Sequence, residues 1–173
     1  MFHRTVLMTP PDPRVEIDAN IAPLIQACWD AGLRTKGCCE GYPFSEWRDD
    51  ENPAWRRAYI VFGDANMGAD FVLLGGLSVE PEGLTPRIAR YATDCDVCGS
   101  RIVRGEPILW RGPVRRNRTR KGAPGMASHA RCRLDYAWAE RGGTTIRFFA
   151  DAIPAITNAL ARARERLRAR DVR

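Results

Sequence analysis

The sequence predicts an α+β fold, and three observations carry that prediction. Short β-prone runs such as Ala58-Tyr-Ile-Val-Phe62 and Thr144-Thr-Ile-Arg-Phe-Phe149 alternate with amphipathic helical stretches. Between them, Cys95-Asp-Val-Cys98 is answered by His129-Ala-Arg-Cys132, a pair of metal-ligand spacings. The length of 173 residues, with 45% hydrophobic and 28% charged, suits one domain or two small ones and excludes a disordered or fibrous chain.

The elements follow in order. Val6-Leu-Met8 is a short apolar run that the prolines of 10–13 break. Ile17, Ile21, Leu24, Ile25 and Cys28 recur at helical spacing, which predicts a helix over about 20–31 with Cys28 on its core face. Asp18 or Asn20 is expected to cap its start, and Gly32 with Leu33 its end. Leu33 to Gly41 reads as a strand ending in a turn, followed by an acidic, aromatic loop from Tyr42 to Trp55. Arg57 to Phe62 is a strand, Met67 to Leu74 a short helix, and Leu77-Ser-Val79 a possible last strand. This β-α-β-β-α order predicts a small ferredoxin-like or related α/β sheet domain over 1–90. Ala58 to Phe62 also matches the end of an RNA-recognition strand, but the basic-Gly-aromatic half is missing and a core strand explains the same residues.

The second unit, 91–142, is a treble-clef-like zinc-binding segment with the pattern C-x2-C-x30-H-x2-C. Zinc takes four soft or borderline ligands at tetrahedral corners, and each x2 pair supplies two of them from one tight turn. Gly99 can take the positive φ that closes the first knuckle. Arg101 to Trp110 reads as a hairpin turning at Gly105, with Glu106 bracketing the turn. Ser128 is expected to cap a helix that carries His129 and Cys132 on its first turn and continues through Leu134, Tyr136, Ala137 and Trp138. With Cys95, Cys98, His129 and Cys132 all engaged, the Zn2+ would be closed to water and structural. A third stretch, 143–173, holds a strand and a basic amphipathic helix. Asp151 is its expected cap, Pro154 lies in its first turn, and Ile153, Ile156, Leu160, Ala163 and Leu167 form its apolar stripe.

Charge divides along the chain. Residues 1–94 carry 9 basic and 14 acidic side chains, a balance of −5; residues 95–173 carry 18 and 7, a balance of +11, and the two sum to the net +6. The basic loop 111–125 holds Arg115, Arg116, Arg118, Arg120 and Lys121 between Gly and Pro residues. Arg forks suit bidentate phosphate contacts, so these five, with Arg164 and Arg168 of the last helix, are the candidate nucleic-acid-binding residues.

Ile21-Ala-Pro-Leu-Ile25, Ala31-Gly-Leu-Arg-Thr35, Cys38-Cys-Glu-Gly41 and Ala58 to Phe62 are similar to small actinobacterial and phage proteins with a helix, Gly-x-x-Thr, Ser-Cys-Gln-Gly and an aromatic-Ile-x-Phe strand. Here Cys38 replaces the Ser and Glu40 the Gln. The resemblance implies no particular activity. The ligand spacing separately resembles that of the poly(ADP-ribose) polymerase zinc fingers, which implies recognition of DNA ends.

No run of about 18 apolar residues exists, so no membrane span is expected. No apolar leader precedes Pro13, and a cytoplasmic location is expected, the host cytoplasm if the chain is phage-encoded. The reading is a zinc-stabilised binder of nucleic acid or another polyanion, DNA or RNA, with no catalytic residue assigned. One alternative is a protein–protein interaction module with a structural zinc, whose acidic 46–51 loop or basic half meets a protein partner. The other is an enzyme using Cys39 or Glu40, with the Cys38-Cys39 thiols activated by Lys36.

Overall fold

In Arg57-Ala-Tyr-Ile-Val-Phe62, period-two alternation puts Ala58, Ile60 and Phe62 on one fully buried face and leaves Arg57, Tyr59 and Val61 half-buried on the other. The computed structural model describes residues 3–8, 15–47, 56–79, 85–111 and 126–171. Its elements are β1 (Thr5–Met8), β2 (Val15–Asp18), α1 (Ala22–Asp30), β3 (Thr35–Cys39), β4 (Arg57–Phe62), α2 (Ala65–Leu74), β5 (Ser78–Val79) and β6 (Thr85–Ile88). They continue with β7 (Thr93–Asp94), β8 (Arg101–Ile102), β9 (Pro107–Arg111), β10 (Met126–His129), β11 (Tyr136–Glu140), β12 (Thr145–Phe149) and α3 (Ile153–Asp171). The fold is mixed α+β.

The main sheet has five strands in the order β3-β4-β12-β11-β5, antiparallel except for the β5–β11 pair. Ile146 stands opposite Ile60 and Phe148 opposite Ala58, and Phe71 of α2 covers them, with ring centroids 5.1 Å from Phe62 and 5.7 Å from Phe148. α3 lies beside both α1 and α2 and buries Ile153, Ile156, Leu160 and Ala163; the Leu167 side chain is outside the described residues. Phe149 points to the other face, into a cluster of Phe44, Trp47 and Trp138. β1 and β2 form a separate ribbon, β10-β9-β6 a three-stranded sheet, and β7-β8 a two-stranded one. Among the described residues, 1–90 does not build a ferredoxin-like sheet by itself, because β11 and β12 separate β4 from β5.

Several local expectations are corrected. The helix expected after Ser128 is a single 3-10 turn, Ala130–Arg133, and Tyr136–Glu140 is a strand. Apolar residues at 134, 136, 137 and 138 fit both periods, but Tyr136 and Trp138 share one strand face, where Arg133 and Arg57 stack on them at 4.6 and 4.9 Å. The 101–110 hairpin does not pair with itself: β8 pairs with β7, while both edges of β9 are taken by β6 and β10. α1 has no side-chain cap, and Asp18 and Asn20 bond to Glu40 instead. Asp151 likewise caps nothing on its own helix and accepts the Phe44 N–H at 2.8 Å. The C-terminal end of α1 closes as expected, with the Leu33 N–H on the Cys28 carbonyl at 2.9 Å and Leu33 buried.

Candidate metal centre

The Cys95–Ser100 segment folds back on itself. The Cys95 N–H donates to the Ser100 carbonyl and the Gly99 N–H to the Cys95 carbonyl, both at 2.9 Å, with Gly99 at φ +69°. This curl aims the Val97 and Cys98 amides at Cys95 Sγ and the Ser100 amide at Cys98 Sγ. Donors directed at sulfur favour the thiolate. The Ser100 amide and hydroxyl lower Cys98 to about 7. Burial would raise Cys95, but the amides of Cys98, His129 and Val97 outweigh it and its pKa also falls. Cys132 is pushed up to about 11 by burial and by crowding against the Cys98 and Cys95 thiols.

The other two donors come from the end of β10 and the turn after it. The His129 N–H lies 3.4 Å from Cys95 Sγ, and its Nδ1 lies 3.5 Å from Cys98 Sγ and 3.9 Å from Cys132 Sγ. A tetrahedral zinc with ordinary bond lengths has an N···S edge of about 3.6 Å. All four donor atoms lie within 4.8 Å of one another, so the Cys3His cluster is compatible with a metal site. Cys95 and His129 are buried, Cys132 half-buried and Cys98 exposed.

Two acidic residues organise this centre. Asp96 ties the knuckle to β10: its carboxylate accepts the Ala127 N–H at 2.6 Å, and its own N–H donates to the Ala127 carbonyl at 2.9 Å. Spacing alone gave no signal for this role. Glu106 brackets its turn as expected, accepting the Val103 N–H at 2.8 Å. The same oxygen also stands 3.4 Å from His129 Nε2, off the line of a hydrogen bond, on the ring side away from the thiols. A carboxylate there favours the tautomer with the proton on Nε2 and the Nδ1 lone pair free for a metal.

Among the described residues, the module around the cluster has a core of Ala89, Cys95, Ile102, Ile108 and Ala127, with Trp110 and Cys132 against it. Leu109 and Ala130 point the other way and join the main core.

Of the candidate phosphate-binding residues, Arg115, Arg116, Arg118, Arg120 and Lys121 lie outside the described residues. Arg111 pairs with Met126 at the end of the β9–β10 ladder away from His129. Arg164 is an ion-pair partner of Asp30 on α1, and the side chain of Arg168 is outside the described residues. Sequence reading missed a basic cleft of about 430 Å³ lined by Ile88, Ala89, Arg90, Tyr91, Arg104 and Gly105. Tyr91 is 83% exposed there.

The Cys38 and Cys39 thiols are not activated by Lys36. Burial, then the Asp18 carboxylate, pushes Cys38 up to about 12, and burial raises Cys39 as well. Cys28 is fully buried among the apolar residues of α1, as expected. No helix among the described residues is long and apolar enough to cross a membrane. Compared with family models, curated proteins and solved structures, the chain matches none.

Proposed function

We propose that the Cys95, Cys98, His129 and Cys132 cluster holds Zn2+ as a structural ion, and that the protein is a zinc-stabilised binder of nucleic acid or another polyanion. All four corners come from protein, which favours a closed structural zinc over one that activates water. Of the treble-clef plan the knuckle is retained, while β8 pairs with β7 rather than with β9 and a 3-10 turn stands in place of the helix.

The observation that carries the binding reading is the cleft on the metal module. Tyr91 offers an open ring for base stacking, and Arg90 and Arg104 beside it offer phosphate contacts. The basic stretch 112–125 follows Arg111, the last residue of β9, in the sequence.

Fluorescence anisotropy with single-stranded DNA, single-stranded RNA and duplex DNA at about 50 and 200 mM salt tests this. Affinity is expected to fall steeply with salt, and Tyr91→Ala is expected to weaken single-strand binding by about 1–3 kcal/mol. No binding to any of the three at either salt overturns the nucleic-acid reading. Binding to heparin that no nucleic acid competes away would instead support an acidic protein as partner.

A further inference from the structure

Three chain segments meet at the open end of the β1–β2 ribbon: the residues before β1, the end of β2, and the Cys39-Glu40-Gly41 end of β3. Ribbon register pairs Thr5 with Asp18, which brings His3 alongside the Asp18 carboxylate. His3 Nδ1 stands 3.1 Å from Asp18 Oδ2 and 3.6 Å from Glu40 Oε1. The donor atoms of His3, Asp18 and Cys39 all lie within 4.8 Å of one another. Glu40 is only 8% exposed, and the other three are half-buried.

These side chains are held in place. The Glu40 N–H donates to Asp18 Oδ2 at 3.1 Å, while the Asn20 N–H and side-chain amide donate to the two Glu40 oxygens at 2.8 and 3.2 Å. The Tyr42 ring meets the His3 imidazole edge-on at 5.4 Å. Gly41 fixes where the strand end points: its φ is +64°, and a Cβ there would come within 2.5 Å of the Ala58 nitrogen. Such outer contacts are how ligating carboxylates and imidazoles are oriented around an ion.

Among the described residues, the ion-pair partner of both Asp18 and Glu40 is His3, one imidazole against two shielded carboxylates. A tetrahedral zinc-class ion sets N···O edges of about 3.3 Å, and the His3–Asp18 separation of 3.1 Å lies close to that value. Thiol and imidazole donors favour such an ion over magnesium or calcium.

We infer that this is a second metal site, binding one divalent zinc-class ion through His3 Nδ1, the Asp18 carboxylate and Cys39 Sγ, with the Glu40 carboxylate beside the imidazole as an outer contact. Binding forms the metal–sulfur bond as the Cys39 S–H bond breaks, and the proton passes to solvent. The inference does not depend on the Cys3His cluster, which shares no residue with it.

The test is metal content per chain by mass spectrometry, on full-length protein loaded with Zn2+ and desalted. Wild type is expected to hold two equivalents. Asp18→Asn and Cys39→Ser should each lose one, while Cys98→Ser/Cys132→Ser should lose the other. A single equivalent that survives Asp18→Asn and Cys39→Ser overturns the inference, as do two equivalents in folded variants. A single equivalent lost in those variants but kept in Cys98→Ser/Cys132→Ser upholds it and sinks the structural-zinc reading instead. Circular dichroism checks folding; if either variant unfolds, His3→Gln at the rim of the site replaces it with the same expected loss.

Discussion

The body of the molecule and its metal module solve the same problem with unequal means. The body closes a five-stranded sheet under three helices, with a continuous core running from Ile17 to Leu160. Among the described residues, the module has strands of two to five residues and a core of five buried residues, one of them the candidate ligand Cys95. Burial of that extent does not offset chain entropy in a segment of this length, whereas a closed metal site contributes folding free energy directly. On the proposed zinc reading, one region is held by packing and the other by coordination, with Leu109 and Ala130 joining them.

Removing the metal should separate the two most sharply. Structural zinc sites bind with roughly 10–16 kcal/mol near neutral pH, so Cys95→Ser or exhaustive chelation should unfold the module. Hydrogen exchange is expected to lose protection in 85–111 and 126–133 while 57–62 and 145–149 keep theirs. Uniform loss across both regions would mean the module is part of one cooperative unit with the sheet.

Phe71→Ala attacks the other side. Phe71 is fully buried between Phe62 and Phe148, and truncation there should cost about 3–5 kcal/mol. Below its lowered melting temperature, the variant should still retain wild-type metal at Cys95, Cys98, His129 and Cys132. Loss of metal at a temperature where the sheet is intact would contradict independent support.

Legibility in the sequence follows the same division. Ligand spacing is a local property, so Cys95, Cys98, His129 and Cys132 were readable as one cluster, and Gly99 as its positive-φ residue. Helix faces were nearly as plain: Leu24, Ile25 and Cys28 lie on one face of α1 with Ile21 at its cap, although Ile17, at the same spacing, belongs to β2. Strand partners were not readable, because β12 slots between β4 and β11 across more than 80 residues of chain. The apolar residues of Tyr136 to Glu140 fit a helix as well as a strand, and pairing with the later β12 and the distant β5 decides the matter. Asp18, Asn20 and Asp151 look like helix caps in sequence, yet each bonds a distant segment instead. A short polar side chain near a helix start is ambiguous until the neighbouring chain is known.

Opposite responses to pH should follow. Fully buried Cys28 has its pKa raised from 9.0 to about 12 by burial, and half-buried Cys38 likewise. Above pH 9 the unfolded thiols ionise while the folded ones stay protonated, so the body's stability is complete below that pH and falls toward pH 12. The slope approaches about 1.4 kcal/mol per pH unit for Cys28, with a smaller share from Cys38. Urea midpoints for wild type and Cys28→Ala should therefore converge as pH rises. Cys98 is shifted the other way, to about 7, so the fold's preference for its thiolate is complete above 9.0 and lost as pH falls through 7. Protons then compete with metal, and a chromogenic chelator should detect release on the acid side while the sheet's circular dichroism is unchanged.

The smallest expected effect decides what α3 does with its arginines. Arg164 reaches Asp30 on α1, and both are about one-third exposed, so the pair stabilises docking by no more than about 1 kcal/mol. Asp30→Asn should then lower the melting temperature by about 2–4 °C at most. Because the charge of Arg164 is already balanced within the body, Arg164→Ala should leave nucleic-acid affinity unchanged, while Arg90→Ala and Arg104→Ala at the Tyr91 cleft weaken it and flatten its salt dependence. If Arg164→Ala instead weakens binding as much as either cleft variant, the helix is part of the binding surface. The separation between a packing-held body and a binding module would then fail at α3.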